Sequence, residues 1–550
     1  SPAQELALHG SIYEMRGAKE EDSPRELGIW RTQPFLSRRP KMTHRYAGKW
    51  AVVLVYIAAL GGARGGFLRE QVVAANVLEG DGERQATLDA ALCSPKPSQL
   101  HLALVDGPDK MVLSWTNKCT RSDALSKQGF SLDSGPRGPV QLEQWVEGKE
   151  FAAKQAFSVT YWLESNKAVA HVAFANTSRY FLSFHHAALM TGLLPGEKYC
   201  YRITESLEKG SCFDTEPHET SEFSFISIGD MGTNNSWGTI RGMEKRRDAS
   251  FILHDGDISY ADDLAAPPGF PRPGEIKRGP YGYEEIYDQY MDSIEHVTQR
   301  TPYMTAVGNH DVSCSTLTDL GCGHGQRNFG AYRSRFRMPW RESGATSQGM
   351  WYSFNYRSIH IACIDTETDY PNAPTQWWTP FFDGGRGGGF GDQLAWLEQD
   401  LETAQRNPDI KWILVVGHRP IVASSDVSFP PWAGIALRRA FEPLLHKYGV
   451  DVYIGAHIHN YERSHPAKYK KRCPASDRCP VFLVNGAAGN CEGAQGRGIS
   501  RTQDLVAAGA YKTFGYGVFH VTPEVLKFQF IASETQTSVE HVVDEFTLKK

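Results

Sequence analysis

Five short segments of the sequence place an acidic, amide or imidazole side chain where an apolar run ends. They read GDMG, GDISYAD, GNHD, GHRP and AHIHNYER, and they follow the runs FSFISI, SFILHD, PYMTAV, KWILVV and VDVYIG. In four of the five, the polar residue directly follows a glycine, which lets the backbone turn sharply. Each motif alone is ordinary turn chemistry, but their recurrence indicates one shared site. The candidate residues are Asp230, Asp257, Tyr260, Asn309, His310, His418, His457 and His459.

These side chains form a donor set suited to a pair of metal ions. With His310 set aside, they offer two carboxylates, one phenol, one amide oxygen and three imidazoles. Oxygen donors with imidazoles and without thiolates suit Fe, Zn or Mn. One structural zinc would take four ligands and leave the others without a role. The set therefore predicts two ions that share a bridging carboxylate, with His457 and His459 binding one ion each.

The segments lie in a region that alternates short strands with helices. After residue 222, apolar runs typical of buried strands are separated by stretches with helical spacing, namely YEEIYDQYMDSIEHV, GDQLAWLEQDLETAQ and IALRRAFEPLLHKYG. This alternation predicts an α/β domain. In open sheets of that kind, sites form at the carboxyl ends of strands, where loops converge. The five segments occupy such positions.

The preceding region, about residues 95–214, is predicted to be an all-β module. QLHLALVDGPDKMVLSW alternates around a turn signal at Gly107-Pro108-Asp109, and SVTYWLE and KYCYRITE repeat the alternation. His185 and His186 are adjacent, so a strand would point them to opposite faces, which makes them poor joint ligands. We interpret them as structural residues of a β-sandwich.

Composition narrows the class of protein. The chain has 550 residues, 41% hydrophobic and 22% charged, with a formal net charge of -5. This balance argues against a nucleic-acid-binding surface, although it leaves room for a local basic pocket. No run approaches the roughly 18 to 20 apolar residues that span a bilayer.

One segment near the start predicts export. Residues 42–66 read MTHRYAGKWAVVLVYIAALGGARGG, with a basic stretch, an apolar core and small residues, which is the pattern of a signal peptide. We therefore interpret residues 1–41 as a non-native or disordered upstream extension and Met42 as the initiator. The alternative is a buried strand or short helix.

The cysteines agree with export. Of ten cysteines, Cys200 and Cys212, Cys314 and Cys322, and the group Cys473, Cys479 and Cys491 have the local spacing of disulfides, with connectivity left open. Sequons occur at Asn176 and Asn234. Free thiols in a cytosolic protein are the alternative.

The complete motif set resembles that of the purple acid phosphatases, the tyrosine-containing branch of the calcineurin-like metallophosphoesterases. The resemblance covers about residues 95–545 and includes SFHHAALMTGLLPGEKYCYRI and GYGVFHVTPEVLKFQF. It implies an α+β or α/β fold class. A fibronectin-III-like β-sandwich over residues 90–220 would precede a four-layer αββα metallophosphoesterase domain over residues 221–545.

The resemblance also implies a role for each candidate ligand. Two sets of three would flank a bridging Asp257: Asp230, Tyr260 and His459 on Fe(III), and Asn309, His418 and His457 on a divalent Zn, Fe or Mn ion. A phenolate on Fe(III) gives a charge-transfer band, so the tyrosine three residues after Asp257 indicates the purple branch.

The implied function is a secreted or vacuolar-lysosomal acid phosphatase that hydrolyses phosphate monoesters through a metal-bound hydroxide. Asn309 and His310 would contact the substrate, and His310 would bind the phosphoryl oxygens or protonate the leaving alkoxide, with Asp311 orienting its ring. Alternatively, His310 only orients its neighbours. The expected partners are small phosphate esters, with no nucleic acid and no stable membrane anchor, and the oligomeric state, a homodimer included, is open.

Two departures from the family pattern keep alternatives in view. Ala456 stands where the usual motif has glycine, and RPIVASSDVSFPPW after His418 lacks the histidine with which many plant members contact the substrate phosphate. A phosphodiesterase or nucleotide pyrophosphatase with the same metals therefore stays open. A secreted binding protein with a decayed site is the non-enzymatic alternative.

Overall fold

The computed structural model describes most of the chain from residue 96 onward, within one compact unit, Ala75–Lys550. The described residues are 96–118, 140–146, 155–159, 183–203, 210–217, 222–264, 282–314, 322, 326–375, 387–425, 432–474, 476–500, 502–533 and 540–550. The predicted extension 1–41, the predicted signal segment 42–66 and the sequon at Asn176 lie outside them. Within the described part, no helix is both long and apolar enough to cross a membrane.

An all-β module comes first, as the alternation predicts. Its strands are β1 Ser98–Leu104, β2 Lys110–Lys118, β3 Val140–Val146, β4 Gln155–Val159, β5 Ser183–Thr191, β6 Lys198–Ile203 and β7 Ser211–Asp214. They form two antiparallel sheets, of order β1-β2-β5 and β4-β3-β6-β7. The predicted turn joins β1 to β2, with Leu104 opposite Met111 and Gly107 at φ +98°.

The histidine pair of β5 has the separate environments that a strand predicts. His185 lies 2.9 Å from Thr116 Oγ1 and 2.9 Å from Ser183 Oγ. The His186 ring instead stacks on Trp115, with centroids 5.1 Å apart and planes at 18°. Both histidines are buried, so they contribute to packing within the module.

Two larger mixed sheets follow. The six-stranded sheet has the order β10-β9-β8-β20-β21-β22, and the seven-stranded sheet has the order β11-β12-β13-β14-β18-β15-β19. Strands β8, β9 and β10 are parallel, as are β12, β13, β14 and β18. The strands are β8 Phe223–Ile228, β9 Ala249–His254, β10 Tyr303–Thr305, β11 Tyr352–Tyr356, β12 Ile359–Cys363, β13 Trp412–Val416, β14 Val452–Gly455, β15 Tyr461–Ser464, β18 Val481–Asn485, β19 Val506–Ala510, β20 Gly515–Val521, β21 Val525–Ser533 and β22 Glu540–Lys549, with the short pair β16 Ala467–Lys468 and β17 Lys471–Arg472 apart.

The main core lies between these sheets. Phe225 stacks on Phe251 at 4.7 Å and on Phe519 at 4.5 Å, and Phe251 meets Phe354 of the other sheet edge-on at 5.6 Å. The two faces of the second sheet pack against different layers, as strand β13 illustrates. Trp412, Leu414 and Val416 belong to this core, while the residues between them pack with helices on the other face. This layering agrees with the predicted α+β class.

Helices cover the sheets. They are α1 Trp237–Lys245, α2 Ala261–Leu264, α3 Gly282–Thr298, α4 Gly330–Arg335, α5 Gln393–Arg406 and α6 Ala433–Lys447. In α5, Asp392 caps the N-terminus by accepting from the Ala395 N–H at 3.1 Å. Leu397, Leu401 and Ala404, at helical spacing, are buried against the second sheet. The three helices predicted from periodicity are α3, α5 and α6.

Helix α3 also holds the β-module. The Thr298 hydroxyl donates to Leu100 O at 2.9 Å, and Lys118 Nζ lies 2.6 Å from Asp292. His101 Nε2 lies 3.1 Å from Arg335 O. These contacts attach β1 and β2 directly to the larger sheets' helical layer.

Three disulfides are present among the described cysteines. Cys200 pairs with Cys212, Cys314 with Cys322, and Cys473 with Cys479. The first two pairs are those predicted. The third leaves Cys491 as a free thiol, so the predicted group of three contains one disulfide.

Candidate metal centre

The five strand-end segments converge in space. Asp230 follows β8, Asp257 follows β9, and Asn309 begins a 3-10 turn, Asn309–Asp311, after β10. His418 follows β13 and His457 follows β14 of the other sheet. Since β8, β9 and β10 are parallel, as are β13 and β14, their carboxyl ends meet at one edge. The structure therefore brings all the predicted site residues together.

One group of donors surrounds the Tyr260 phenol. Its O–H donates to Asp230 Oδ1 at 2.7 Å, and its oxygen lies 2.9 Å from His459 Nε2 and 3.4 Å from Asp257 Oδ2. His459 Nε2 is 3.4 Å from Asp230 Oδ1. Four donors of the predicted iron side thus converge on one point.

A second group adjoins the first through Asp257. His418 Nε2 lies 2.9 Å from Asp257 Oδ2 and 3.2 Å from Asn309 Oδ1. Asp257, His418 and His457 offer donor atoms that all lie within 4.8 Å of one another. His418 Nδ1 lies 3.0 Å from the Asp255 carbonyl oxygen, which fixes the ring and leaves Nε2 directed into the site.

The backbone at the ligands is unusual. Asp230, Asp257, Tyr260 and His457 have φ of 55°, 53°, 52° and 65°, a region that non-glycine residues rarely adopt. Such conformations persist where the surrounding structure enforces them, commonly at functional sites. The glycines before the ligands do not all supply these turns as predicted, since among them only Gly256 has positive φ, +91°.

The other preceding glycines are needed for close approach. A Cβ on Gly308 would overlap Asp257 Oδ1, and one on Gly417 would lie 2.7 Å from Thr366 Cγ2. A Cβ on Gly229 would lie 2.5 Å from the Cβ of Ala456. The alanine that departs from the family pattern therefore fits against a glycine on the opposite loop.

His310 lies next to the first donor group, and its ring is held by the Asp262 carboxylate. Its Nδ1 is 3.1 and 2.9 Å from the two Asp262 carboxylate oxygens, and its ring lies 4.3 Å from the Tyr260 ring. Its backbone N–H donates to Asp257 Oδ1 at 2.7 Å. With Nδ1 occupied by Asp262, Nε2 faces the site, 3.9 Å from Asp257 Oδ2.

The expectation that Asp311 orients His310 is wrong. Asp311 instead accepts the backbone N–H groups of Gly308 at 2.9 Å, Asp257 at 3.1 Å and Ile258 at 3.3 Å. It holds two ligand loops together. Asp262, the last residue of GDISYAD, is the orienting carboxylate, and its place in that motif was the available signal.

The buried carboxylates and phenol of the site indicate that it binds cations. Burial raises the pKa of the Tyr260 phenol well above its ordinary value of 10, and the Asp230 and Asp257 carboxylates raise it further. Burial opposes protonation of His310, but the carboxylates of Asp262 and Asp257 outweigh it and raise the pKa of the ring well above 6.5. A nearby cation is what converts such a phenol into a phenolate ligand.

The donor geometry fits that requirement. Metal–ligand bonds of about 2.0–2.2 Å place neighbouring donor atoms roughly 3 Å apart, as the phenol, carboxylate and imidazole atoms here are. The set contains no thiolate, and the Cys491 thiol donates to Asp263 Oδ2 at 3.9 Å. The residues present therefore fit two hard or borderline ions.

Sequence reasoning missed a buried ion pair beside the second group. Arg419 Nε lies 2.9 Å from both Glu367 oxygens and its Nη2 lies 2.8 Å from Oε2, while Nη1 is 3.2 Å from His457 Nε2. The signal was a charged residue directly after His418. Arg463 forms an ion pair with Asp544 at 2.7 Å.

Two sheets that deliver carboxylates, an amide and imidazoles to one edge define a metallophosphoesterase-type site, and comparisons with known proteins agree. Residues 223–461 match the calcineurin-like phosphoesterase family, and residues 479–545 match the family described as iron/zinc purple acid phosphatase-like protein C. Acid phosphatase A of Cryphonectria parasitica is 30% identical over 430 residues, covering 68% of this chain and 82% of that protein. The acid phosphatase of Aspergillus ficuum is 30% identical, covering 67% and 76%.

Among solved structures, purple acid phosphatase PPD1 from yellow lupin (Lupinus luteus) seeds matches with a TM-score of 0.57 at 19% identity, covering 82% of this chain and 74% of that one. This likeness concerns the fold. The sequence relatives and the family matches show that the chain belongs to the purple acid phosphatases. It is an acid phosphatase with a dinuclear, iron-containing metal centre that acts on phosphate esters.

Proposed function

We propose that the two donor groups hold Fe(III) and a divalent Zn, Fe or Mn ion, with Asp257 bridging them. Asp230, Tyr260 and His459 are the proposed Fe(III) ligands, and Asn309, His418 and His457 are the proposed ligands of the divalent ion. One observation carries the proposal: Asp257 Oδ2 lies 3.4 Å from the Tyr260 oxygen and 2.9 Å from His418 Nε2, so a single carboxylate reaches both groups.

The bound cations would supply charge that stabilises the phosphoryl oxygens and lowers the pKa of an attacking water. Residues of the chain bind the substrate and transfer the proton. Asn309, through its amide, and His310, through Nε2, contact the substrate phosphate. Asp262 holds His310 at Nδ1, so a proton on Nε2 can pass to the leaving alkoxide. The burial of Asp257, Tyr260 and His418 keeps bulk water away from the ligands.

We further propose that the substrates are small phosphate monoesters and that the protein travels the secretory route to the exterior or to a vacuolar or lysosomal compartment. Three disulfides support an oxidising compartment. Residues 42–66 would be removed as a signal peptide. The β-module would span residues 90–220 and the catalytic domain residues 221–545.

The absence of a histidine in residues 419–432 favours one competing specificity, phosphodiester or pyrophosphate-bond cleavage at the same metals. The test compares 4-nitrophenyl phosphate with bis(4-nitrophenyl) phosphate on the purified, metal-replete protein, alongside elemental analysis and a visible spectrum. We expect iron, a second ion, a visible absorption band and faster hydrolysis of the monoester. Faster hydrolysis of the diester would overturn the monoester assignment.

A further inference from the structure

An open cavity of about 250 Å³ lies between helix α5 and the hairpin formed by β11 and β12. Residues at helical spacing on one face of α5 form one wall, and Ser353, Asn355 and His360 of the hairpin form the other. Asp106, in the turn between β1 and β2, also lines the cavity, which therefore adjoins the β-module. A single water needs only roughly 10–15 Å³, so there is room for a small organic molecule.

The cavity is separate from the metal centre. Strands β12 and β13 are parallel, and β13 runs toward His418 at the metal edge of the sheet. His360 lies near the start of β12, toward the opposite edge. Among the described residues that line the cavity, none is a proposed metal ligand. A molecule bound here would therefore not touch the metal ligands.

A chain of hydrogen bonds joins the two walls. Asp400 of α5 accepts from the Ser353 hydroxyl through Oδ1, and its Oδ2 lies 2.8 Å from His360 Nε2. His360 Nδ1 lies 2.8 Å from Asn355 Oδ1. His360 is buried. Because these contacts connect the helix to both strands of the hairpin, the walls keep a fixed spacing.

The charges of the lining disfavour an anionic ligand. Within the described part of the chain, no lysine or arginine lines the cavity. Of the lining carboxylates, Glu342 forms an ion pair with Arg337 at 2.7 Å, and Asp400 is held by His360 and Ser353. Proteins bind phosphate groups most strongly with charged donors, so this cavity does not suit a second phosphate.

Most of the polar lining is uncharged. Six side chains carry an amide or a hydroxyl group: Ser343, Ser353, Asn355, Gln399, Thr403 and Asn407. The three hydroxyl protons are donated within the protein, to the Asp400 carboxylate and to two backbone carbonyls, so their oxygens remain as acceptors. Asn355 and Asn407 use Oδ1 for a contact with His360 and for a backbone N–H, so their amide nitrogens remain as donors. Gln399 is exposed and can do both.

A lining that both donates and accepts matches hydroxyl groups, because each hydroxyl can donate one hydrogen bond and accept others. An ammonium group only donates. Trp396 adds apolar surface, since its Nε1 already donates to Ser343 O at 3.1 Å and the ring is what remains for a ligand. A sugar ring combines hydroxyl groups with an apolar C–H face that packs on an aromatic ring.

We propose that this cavity binds a neutral sugar of one or two hexose units. Gln399 is the main polar contact, and Trp396 is the surface on which the sugar ring packs. An enzyme that holds carbohydrate here can hydrolyse phosphate esters at the metal centre while it stays attached to a glycan. The proposal goes beyond the proposed function and does not depend on the metal assignments.

The test is isothermal titration calorimetry of the full, metal-replete chain with cellobiose, maltose, lactose and mannobiose. Excess orthophosphate is present to fill the metal centre. We expect at least one sugar to bind at millimolar concentration, and Gln399→Ala to weaken that binding about tenfold. Thr403→Trp, which places a bulky ring at an exposed position of the same wall, should abolish it. Gln405→Ala, at an exposed position of the same helix outside the lining, is the matched control and should leave it unchanged.

Failure of the wild-type protein to bind any of the four sugars would overturn the site, as would equal affinities in Gln399→Ala and Gln405→Ala. Binding of putrescine without binding of a sugar would overturn it in favour of a cationic ligand. Hydrolysis of 4-nitrophenyl phosphate should be the same in wild type, Gln399→Ala and Gln405→Ala, and equal melting temperatures show that folding is intact. Absence of that hydrolysis in the wild type would contradict the proposed function and leave the result for the cavity standing.

Discussion

Gly229 and Ala456 face each other across the two loops that deliver Asp230 and His457. A Cβ on Gly229 would lie 2.5 Å from the Ala456 Cβ, which real Cβ atoms do not tolerate. The missing side chain at one position therefore permits the methyl group at the other.

This pairing predicts a compensating double mutant. Gly229→Ala should separate the loops and lower metal content and activity about tenfold or more, because small displacements of ligands are costly. Ala456→Gly should be tolerated, and Gly229→Ala combined with Ala456→Gly should regain much of the loss. Metal analysis and 4-nitrophenyl phosphate turnover measure all three; a double mutant as impaired as Gly229→Ala would refute the pairing.

The bridging assignment predicts that Asp257→Asn loses metal and activity together, by about a thousandfold in rate. An amide cannot replace a carboxylate whose oxygen serves both groups. Asp544→Asn, which breaks the ion pair with Arg463 away from the site, is the control and should retain both ions. An active Asp257→Asn enzyme would end the assignment.

Tyr260→Phe should abolish the visible absorption band while iron stays bound, because only the phenolate provides the charge transfer. Tyr352→Phe removes a buried hydroxyl that donates to Thr305 O at 2.9 Å and should keep the colour. The spectrum and the iron content are recorded on the same samples. An unchanged spectrum in Tyr260→Phe would contradict the ligand role.

Asp262 should act through His310. His310→Ala should retain both ions and lower kcat by about a hundredfold, within the usual range for a proton-transfer group. Asp262→Asn should lower kcat less, by about tenfold, and should have no further effect in the His310→Ala background, since its only proposed role is to hold that ring. Additive losses would show that Asp262 has an independent role.

Acid should weaken the β-module through His186. Burial lowers the pKa of this imidazole from 6.5 to about 3, so the folded protein resists a proton that the unfolded chain accepts below about pH 6.5. The contribution of neutral His186 is present above pH 6.5 and is lost as the pH falls toward 3, by about 1.4 kcal/mol per pH unit at most. His186→Phe should flatten the fall of the melting temperature with acid, and His541→Gln, on exposed β22, should not. An identical slope in His186→Phe would contradict this origin.

The sequence alone supports much of the site, because each ligand is encoded locally by an apolar run and the polar residue that ends it. The contacts of the residues that surround the ligands could not be predicted in the same way. Glu367 and Arg419 lie far apart in the chain, and so do Asp262 and His310. Each pair follows two neighbouring parallel strands of one sheet, β12 and β13 in the first case and β9 and β10 in the second, so the pairing depends on the strand order of the folded sheet. The sequence likewise does not show why glycine precedes four of the ligands, because close approach between loops is a property of the folded chain.

Strand β8, which leads into Asp230, lies between β9 and β20 in its sheet. Its pairing partner β20, Gly515–Val521, comes almost 300 residues later in the chain. During synthesis, one edge of β8 therefore stays unpaired until β20 has left the ribosome. We therefore expect metal capture at that loop to follow the pairing of β20, so that a product truncated before residue 515 does not complete it.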